Sequence, residues 1–481
     1  MLQKILQLES KFHLGNATLI IAVLTFMSKI TGAVRNTLLA NQLGTGVESD
    51  IYLTAFRIPD LVYNLLIIGT LSVAFIPVFS SYYLTDKDRA SAIANTVLHI
   101  AVIGMAIICT GIFIFAKPLT SLIAPGFDDD QIARTAMLTQ LMIASPLIFT
   151  ISNVFGSVLI GFKKFLIVNT APLLYNIGII IGIVFLYPQY GLRGIAGGVI
   201  LGALMHVGVQ IAEAYRHGFR WKPTLNIHDK GVKRVGKLFL PRIFGLDISY
   251  ANLVIVSIVG STLAAGSITA YNYANDLQAV SIGIFALSTA VAIFPVLSEM
   301  YAKDDILGFI KELQRAIIRI LYFIIPITIV MLLFRAHIVR LLLGYGKCDW
   351  ICTITTFNTL GVLSLGLLAQ SLIPLFARSF YARHNTKTPV IIGLFTLCLS
   401  AILSYYLSFA FGVAGIALGF VIATTANCIL MFGALHKTLT KEVTDESVMQ
   451  AFDANMVRVT FKIIFASILM GAVCYITLYL V

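Results

Sequence analysis

Long apolar runs alternate with short polar loops along the chain. A helix needs about 20 apolar residues to cross a bilayer, and thirteen runs are long enough to be candidate spans. They fall at residues 17–43, 51–83, 91–116, 132–160, 166–187, 191–215, 238–264, 268–298, 315–334, 351–381, 389–411, 413–436 and 458–481. The pattern predicts an all-α, polytopic membrane protein.

The segment before the first span has a different pattern. In residues 1–16, apolar side chains alternate with Lys4, Glu9 and Lys11, which predicts a short helix in the membrane interface. No small-residue cleavage site follows a compact apolar region, so a cleavable signal peptide is not expected.

The composition agrees with a membrane protein. Of the 481 residues, 58% are hydrophobic and only 12% are charged, against about 25% charged in ordinary soluble domains. A soluble enzyme, a disordered chain and a disulfide-rich secreted domain are therefore excluded. The net charge of +12 does not indicate nucleic-acid binding, because the basic residues lie in short loops between apolar runs.

These basic loops predict the orientation. With the N-terminus in the cytoplasm, Lys and Arg lie mainly in the inner loops, as the positive-inside rule requires. The longest polar stretch, residues 217–237, is then a cytoplasmic linker between the sixth and seventh helices. Residues 438–457 form a second cytoplasmic loop before a thirteenth helix at 458–481.

The sequence also repeats itself. The pattern VAxxPVxSxxY occurs at 73–83 and again 218 residues later at 291–301, and GxxGIAxG occurs at 191–198 and again 221 residues later at 412–419. Two matches at nearly one offset predict two six-helix lobes in the same orientation, residues 17–216 and 238–437. Parallel repeats are typical of transporters, with the substrate site between the halves.

Charged residues inside the predicted spans are the sharpest functional signal, because each is costly in a membrane and usually faces a partner or a cavity. They concentrate in the first two helices of each half. They are Lys29, Arg35, Asp50, Arg57, Asp60, Arg242, Asp247 and Asp276. This distribution predicts that these four helices line a central cavity.

Spacing refines the prediction. The residues Asp50, Arg57 and Asn64 are seven apart and share one stripe of a helix, and Asn272, Asn275 and Asp276 share a face at i, i+3 and i+4. Flexible or kinked points are expected at Gly32 and Pro59 beside the charges, and at Pro77 and Pro295 in the repeated motif.

Two interpretations of these charges stay open. They could pair internally, Arg57 with Asp50 or Asp60 and Arg242 with Asp247, and hold each lobe together. Neither Arg35 nor Lys29 has an acid in register on its own helix, which favours a substrate role for both. A phosphate suits Arg because its planar fork binds two oxygens at once.

Other features have structural explanations. The acidic run at 128–130 precedes a helix and is expected to cap it, and Gly194, Gly198 and Gly202 predict close helix packing. Neither a metal nor a disulfide role is expected for Cys348 and Cys352, because no second ligand pair accompanies them. The sequence contains no Walker A, nucleophile-elbow or HExxH motif.

The charged helices contain several longer motifs. In the first two helices these are SKxxGxxRN at 28–36, Asp50, AFRIPD at 55–60 and GxxSxAFIP at 69–77. In the seventh and eighth they are LPR at 240–242, LAxGSI at 263–268, YANDLQ at 273–278 and AxFP at 292–295. In these motifs the chain resembles the MurJ (MviN) family of lipid II flippases.

The resemblance implies fourteen membrane helices in two lobes around a central cationic cavity, in the superfamily that includes MATE drug exporters and polysaccharide flippases. It implies transfer of lipid II, an undecaprenyl-diphosphate-linked peptidoglycan precursor, to the outer leaflet of a bacterial inner membrane by alternating access. No cofactor is implied. Coupling would come from a monovalent cation or the membrane potential, and cell-wall synthesis proteins are candidate partners.

The resemblance also implies residue roles. The family's cavity arginine maps to Arg35, a second basic position to Lys29, an acid to Asp50, and the basic residue before the helix 2 proline to Arg57. With Asn64 added, the headgroup-binding prediction is Arg35, Lys29, Arg57 and Asn64. The predicted coupling or cavity-lining residues are Asp50, Asp60, Arg242, Asp247, Asn272, Asn275 and Asp276.

The chain departs from the family pattern at several positions. Residues 63–64 are Tyr-Asn where the family often has a basic pair, and residues 68–70 are Ile-Gly-Thr in place of Glu-Gly-Ala. An acid, Asp276, stands where many relatives have Arg or Asn. The cavity is therefore expected to be less cationic, and with thirteen helices the family's groove for the polyprenyl tail is expected to be incomplete.

Three alternatives remain at this stage. A MATE-like cation-coupled drug exporter, or a flippase for another lipid-linked oligosaccharide, would share the architecture. A polyprenyl-phosphate membrane enzyme would need a metal-binding cluster that the sequence does not show. A non-transporting scaffold would fit the substituted cavity positions.

Overall fold

A computed structural model describes residues 14–66, 71–243, 248–443 and 446–480, and the regular elements in these ranges are all helices. The predicted interfacial segment, up to residue 13, lies outside the described residues. So do Asp247 and the side chain of Arg242.

The chain divides into two compact units, residues 1–43 with 47–250 and residues 44–46 with 251–481. The helices of the first unit are α1 (Leu14–Leu43), α2 (Val47–Leu66), α3 (Leu71–Tyr83), α4 (Lys87–Ile114), α5 (Ala116–Ile123), α6 (Asp129–Met142), α7 (Ala144–Gly161), α8 (Phe165–Ile181), a π-helical segment (Gly182–Leu186), α9 (Tyr187–Tyr190), α10 (Leu192–Arg216) and α11 (Lys230–Ile243).

Apart from residues 44–46, the second unit begins at residue 251, within the helix α12. Its helices are α12 (Ile248–Gly260), α13 (Ser267–Ser281), a π-helical segment (Ile282–Leu287), α14 (Ser288–Ala302), α15 (Ile306–Leu343), α16 (Trp350–Leu365), α17 (Leu367–Ala382), α18 (Lys387–Phe411), α19 (Val413–Glu442) and α20 (Glu446–Leu480).

Ten of the thirteen predicted spans match described helices of sufficient length and apolarity. Nine are long and apolar enough on their own, and the pair α16 and α17 meets the test together with a bend of 48°. The remaining three are the predictions at 17–43, 51–83 and 238–264. The second of these corresponds to the separate helices α2 and α3, and the third to α11 and α12.

The first unit is held together by close backbone contact between α8, its π-helical continuation and α10. A Cβ atom added at Gly202 would collide with the backbone carbonyl of Tyr175, and one added at Gly198 would collide with the backbone of Gly182. The small-residue ridge predicted on α10 therefore does let two helix backbones meet. A buried apolar cluster that includes Ile179 and Ile195 continues this contact.

Corresponding positions of the two units repeat the same backbone features. Positive φ angles occur at Lys163 (60°) and His384 (56°), and at Gly191 (57°) and Gly412 (55°), each pair 221 residues apart. A Cβ at Gly415 would collide with the Leu407 carbonyl, as one at Gly194 would with the Leu186 carbonyl, at the same offset. The repeat seen in the sequence is therefore a repeat of local structure.

A proline inside α2 leaves one backbone carbonyl without its usual helical partner. Pro59 has no N–H, so the carbonyl of Ala55 loses its i+4 donor. The buried hydroxyl of Thr139 on α6 lies 3.3 Å from that carbonyl and 3.0 Å from the Thr135 carbonyl of its own helix, and its one proton is shared between these two acceptors. Helix α2 therefore keeps its proline at the point where the side chain of a neighbouring helix replaces the lost bond.

The second unit has its own apolar core. The long helix α15 contributes the fully buried Phe309, Ile320 and Ile324, and α17 contributes Leu375 and Phe376. Helices α15 and α20 also pack along each other. Residues 446–457, expected as part of a loop, are helical and form the first three turns of α20.

Two local predictions had opposite outcomes. The acidic run caps α6 as predicted: Asp128 accepts a bond from the Gln131 N–H at 2.8 Å, and the Gln131 side chain accepts one from the Asp128 N–H. The prediction for the cysteine pair was wrong, because Cys348 and Cys352 are joined in a disulfide. The first turn of α16 brings their Cα atoms to 5.2 Å, within the range that a disulfide spans.

Candidate substrate site in the first unit

A guanidinium held by two amide side chains is the centre of the candidate site. Arg35 on α1 donates from Nε and Nη2 to the Asn36 side-chain oxygen at 3.0 and 2.9 Å, and from Nη1 to that of Asn176 at 3.0 Å. These bonds use three of the five N–H groups of a guanidinium. In the part of the chain that the structure describes, the other two have no protein acceptor, and the side chain is half-buried.

Asn176 fixes this arrangement from helix α8. It is only 8% exposed, and its NH₂ group donates to the Ser28 carbonyl at 3.2 Å and the Thr31 hydroxyl at 3.5 Å. A Cβ at Gly32 would lie 3.6 Å from the same amide. This is an ordinary van der Waals distance, so Gly32 faces Asn176 but the close approach of α1 and α8 does not require a glycine there.

The second helix adds charges of both signs. Asp60 is within electrostatic reach of Arg57 and Arg35, and Arg57 is only 7% exposed. The Tyr175 ring, beside Asn176 in the sequence, interacts with both Asp60 and Arg35. We call Arg35, Arg57, Asp60, Tyr175 and Asn176 the arginine cluster.

The other predicted site residues of α1 and α2 are Asp50, Asn64 and Lys29, and each has different surroundings from Arg35. Asp50 is buried, 3% exposed, in the first turn of α2, where a carboxylate interacts favourably with the helix dipole. The Asn64 amide donates to the Asp60 carbonyl of its own helix at 2.7 Å. Lys29 is exposed, on a stretch of α1 whose apolar neighbours Phe26 and Ile30 are exposed as well. The structure therefore brings Arg35, Arg57 and Asp60 together, and its described contacts place neither Lys29 nor Asn64 with them.

The sequence reasoning missed Asn176 and Tyr175. Both lie in an apolar run that was read as an ordinary span. The available signal was an amide in the middle of a mostly apolar helix, because such a group needs a hydrogen-bonding partner when it is buried.

In the second unit, the three residues of the predicted polar face of α13 differ in burial and in hydrogen bonding. Asn272 is buried and donates to the Ile268 carbonyl of its own helix at 2.6 Å, whereas Asp276 is exposed. Asn275 accepts a bond at 3.2 Å from Gln278, which also bonds Gln370 on α17. This pair, in which Gln278 is fully buried and Gln370 is half-buried, was missed by the sequence reasoning, and it ties α13 to the bent span.

The second unit also contains a large apolar groove of about 630 Å³ between α15 and α20. Its walls include Tyr322, Phe323 and Pro326 from α15 and Ile463 and Met470 from α20. One basic residue of an apolar helix, Lys462, lies on its wall and is exposed. The sequence reasoning passed over this residue as part of the last span.

Groups of three or more His, Cys, Asp or Glu side chains that could hold a metal ion do not occur among the described residues. In chemical terms, a guanidinium with two N–H groups free of protein acceptors among the described residues is able to bind the oxygens of a phosphate.

Solved structures share the whole fold. A structure titled lipid II flippase MurJ in an inward closed conformation superposes with a TM-score of 0.77 at 22% identity, covering 95% of this chain and 97% of that one. An inward-facing multidrug resistance MATE transporter of the MOP superfamily gives 0.75 at 15% identity, covering 88% and 98%. The chain is therefore a multi-pass membrane protein that shares the fold of these structures.

The sequence comparisons identify the family. The family model described as lipid II flippase MurJ matches residues 39–481, and the chain belongs to that family. A probable lipid II flippase MurJ from Borreliella burgdorferi is 27% identical over 86% of this chain and 82% of its own length. Lipid II flippase MurJ from Burkholderia cenocepacia is 26% identical over 88% and 84%.

Proposed function

We propose that this protein moves lipid II from the cytoplasmic to the outer leaflet of a bacterial inner membrane, with its N-terminus in the cytoplasm. Membership of the MurJ family supports the substrate. The observation that carries the proposal in this chain is the geometry of Arg35. Two amide side chains fix its guanidinium and leave two N–H groups for an anion.

The diphosphate of the substrate is the group that Arg35 recognises. Two amide acceptors leave the guanidinium its full positive charge, whereas a carboxylate partner would cancel it. Arg57 adds a second positive charge, and Asp60 offsets part of it. The cluster therefore has two guanidinium groups against one carboxylate, and this balance favours an anionic substrate over the cationic drugs of a MATE-like exporter.

The long hydrocarbon tail needs an apolar surface that opens to lipid. The groove between α15 and α20 has this character, and Lys462 on its wall supplies a positive charge. We infer that this groove binds the polyprenyl tail, whereas the diphosphate is recognised by Arg35.

Transport would proceed by alternating access without a cofactor. Because the membrane potential contributes about 2.3 kcal/mol per charge for each 100 mV, movement of the cluster's net positive charge could couple transport to the potential or to a monovalent cation. Asp60 is an acid within electrostatic reach of Arg35, and we propose it for this role together with Asp50 and Asp276. Cell-wall synthesis proteins remain proposed partners.

Complementation tests this function. The native lipid II flippase is depleted in a bacterium, and the wild-type chain is expressed beside Arg35→Ala and Arg193→Ala. Arg193 is an exposed arginine of the same unit that bonds the Met137 sulfur instead of an amide. The wild type and Arg193→Ala are expected to restore growth, whereas Arg35→Ala at an equal membrane level is not. Rescue by Arg35→Ala would refute the role of the cluster.

A further inference from the structure

A basic amphipathic helix packs against the outside of the first unit. On α11, the residues Lys230, Lys233, Arg234 and Lys237 recur at i, i+3, i+4 and i+7 and are all exposed. On the opposite side, Val232 and Val235 are buried. Such a helix is typical of one that lies in the membrane interface, with its apolar side towards the hydrocarbon.

The start of α11 is fixed in place by α3 and α4. Asp229 accepts a bond from the Gly231 N–H at 2.6 Å and forms an ion pair with Arg89 of α4 at 3.2 Å. A Cβ at Gly231 would lie within 3.0 Å of the Tyr82 ring of α3 and closer still to Ile93 of α4. The basic stripe therefore has a defined position on the unit.

A groove of about 330 Å³ lies between α11 and the helices α3 and α4. Its walls are wholly apolar: Leu71, Val97, Ile100, Ala101, Gly104, Met105, Ile108, Val232, Val235, Gly236 and Phe239. The α4 wall, from Val97 to Ile108, extends about 17 Å along the helix axis at 1.5 Å per residue. It belongs to a membrane-spanning helix on which Ile100, Ile103 and Ile107 are exposed.

We propose that this groove and the basic stripe of α11 bind one anionic phospholipid, with an acyl chain in the groove and the phosphate beside Lys233, Arg234 and Lys237. The apolar walls need a hydrocarbon chain, and the cations on the polar side of α11, which do not themselves line the groove, select a negative headgroup. Lys and Arg side chains reach the phosphate level by extending their stems along the apolar surface. Clusters of four or more cations on an amphipathic helix bind anionic lipids in this way.

The site is separate from the arginine cluster and from the groove that we assign to the polyprenyl tail. It would bind the lipid whether or not the protein transports lipid II, so its test does not depend on that function. Its consequence is that the linker between the repeats is held to the membrane by lipid charge as well as by protein contacts.

Native mass spectrometry of the purified full chain tests the proposal. The protein is titrated with phosphatidylglycerol and with phosphatidylethanolamine that carries the same acyl chains. We expect phosphatidylglycerol to bind at least tenfold more tightly. A Cβ at Gly104 or at Gly236 points into open space, so Gly104→Phe and Gly236→Leu fill the groove from opposite walls. Each should weaken phosphatidylglycerol binding by at least fivefold.

Matched variants separate the groove from general effects on α4. Gly111 lies on the same helix, its Cβ also points into open space, and it does not line the groove. Gly111→Phe is therefore expected to bind phosphatidylglycerol like the wild type. Equal weakening by Gly111→Phe and Gly104→Phe would overturn the assignment of the groove.

The charge requirement is tested by the triple variant Lys233→Gln, Arg234→Gln and Lys237→Gln. Each cation near an anionic headgroup is expected to contribute about fivefold in affinity, so the triple variant should lose at least tenfold for phosphatidylglycerol and change little for phosphatidylethanolamine. The control neutralises three exposed lysines of the second unit, Lys311, Lys437 and Lys441, and is expected to change neither.

Two results would contradict the proposal. One is phosphatidylglycerol binding that is unchanged in both Gly104→Phe and the triple variant. The other is tight binding of undecaprenyl phosphate at this groove, lost in Gly104→Phe, with no binding of phosphatidylglycerol. The occupant would then be the tail of the carrier lipid.

Discussion

Asn176 is the residue whose replacement tests the arginine cluster most sharply. It binds Arg35 through its oxygen at 3.0 Å, and it binds α1 through its NH₂ group. Asn176→Ala removes both. Asn176→Asp keeps an acceptor for Arg35 but places a negative charge 3.0 Å from the position of the guanidinium.

The magnitude follows from these bonds. A hydrogen bond to a charged group contributes about 1.5–3 kcal/mol, and about 1.4 kcal/mol corresponds to a factor of ten. If Arg35 loses its position in Asn176→Ala, transport should fall by about 10- to 100-fold, and the protein should lose stability as well. In Asn176→Asp the new ion pair offsets the loss of the bond to the Ser28 carbonyl. Transport should therefore fall while thermal stability stays near that of the wild type.

The assay combines complementation of a flippase-depleted strain with the thermal midpoint of the detergent-solubilised protein. The matched control is Asn169→Ala on the same helix, because the Asn169 amide bonds only the Phe165 carbonyl of its own helix in the described contacts. It should transport normally. Full transport by a stable Asn176→Asp protein would show that the positive charge of Arg35 is not needed, and the reasoning would be refuted.

Further predictions concern packing and the disulfide. Thr139→Val should lower the thermal midpoint, because the loss of its bond leaves a buried carbonyl unsatisfied at about 1–3 kcal/mol. Thr135→Val on the same helix, whose hydroxyl has no partner, should change it little. Gly202→Ala should destabilise the first unit by about 1–3 kcal/mol through overpacking, whereas Gly208→Ala, where a Cβ meets nothing within 4 Å, should not. Maleimide tagging of the unfolded protein should count four cysteines without reductant and six with it; six in both conditions would exclude the disulfide.

The helices and the repeat could be predicted from the sequence because their signals are local. Apolar runs of sufficient length form helices in a membrane, and a repeated motif such as GxxGIAxG carries its turn geometry with it. The cap at Asp128 could be predicted for the same reason, because it depends on residues within one helical turn.

The candidate site could be predicted only in part, since its geometry depends on contacts between distant segments. Arg35 was chosen because it is a charge in an apolar run, but its partner Asn176 lies 141 residues away. Asp50, Arg57 and Asn64 are seven residues apart and share one face of a helix. This spacing did not show that the Asn64 side chain would donate to a backbone carbonyl of its own helix. The disulfide was missed because the i, i+4 spacing of the two cysteines does not by itself show whether their sulfur atoms meet; that depends on the backbone at the start of α16.

The proposed roles of Lys29, Arg242, Asp247 and Asn272 in transport stay predictions. Among the predicted hinges, Pro59 is compensated by the Thr139 hydroxyl, and Gly32 faces Asn176 without a close contact that requires a glycine. Pro77 and Pro295 lie inside α3 and α14 at matching positions of the repeat.

The central claim is that Arg35 recognises the diphosphate of lipid II during transport. Its most direct test follows lipid II into the outer leaflet of spheroplasts that depend on this chain, by cleavage with an added enzyme that attacks lipid II only from outside. The wild type should make newly synthesised lipid II accessible to the enzyme, and Arg35→Ala at an equal membrane level should leave it protected. Equal accessibility in the two would contradict the claim.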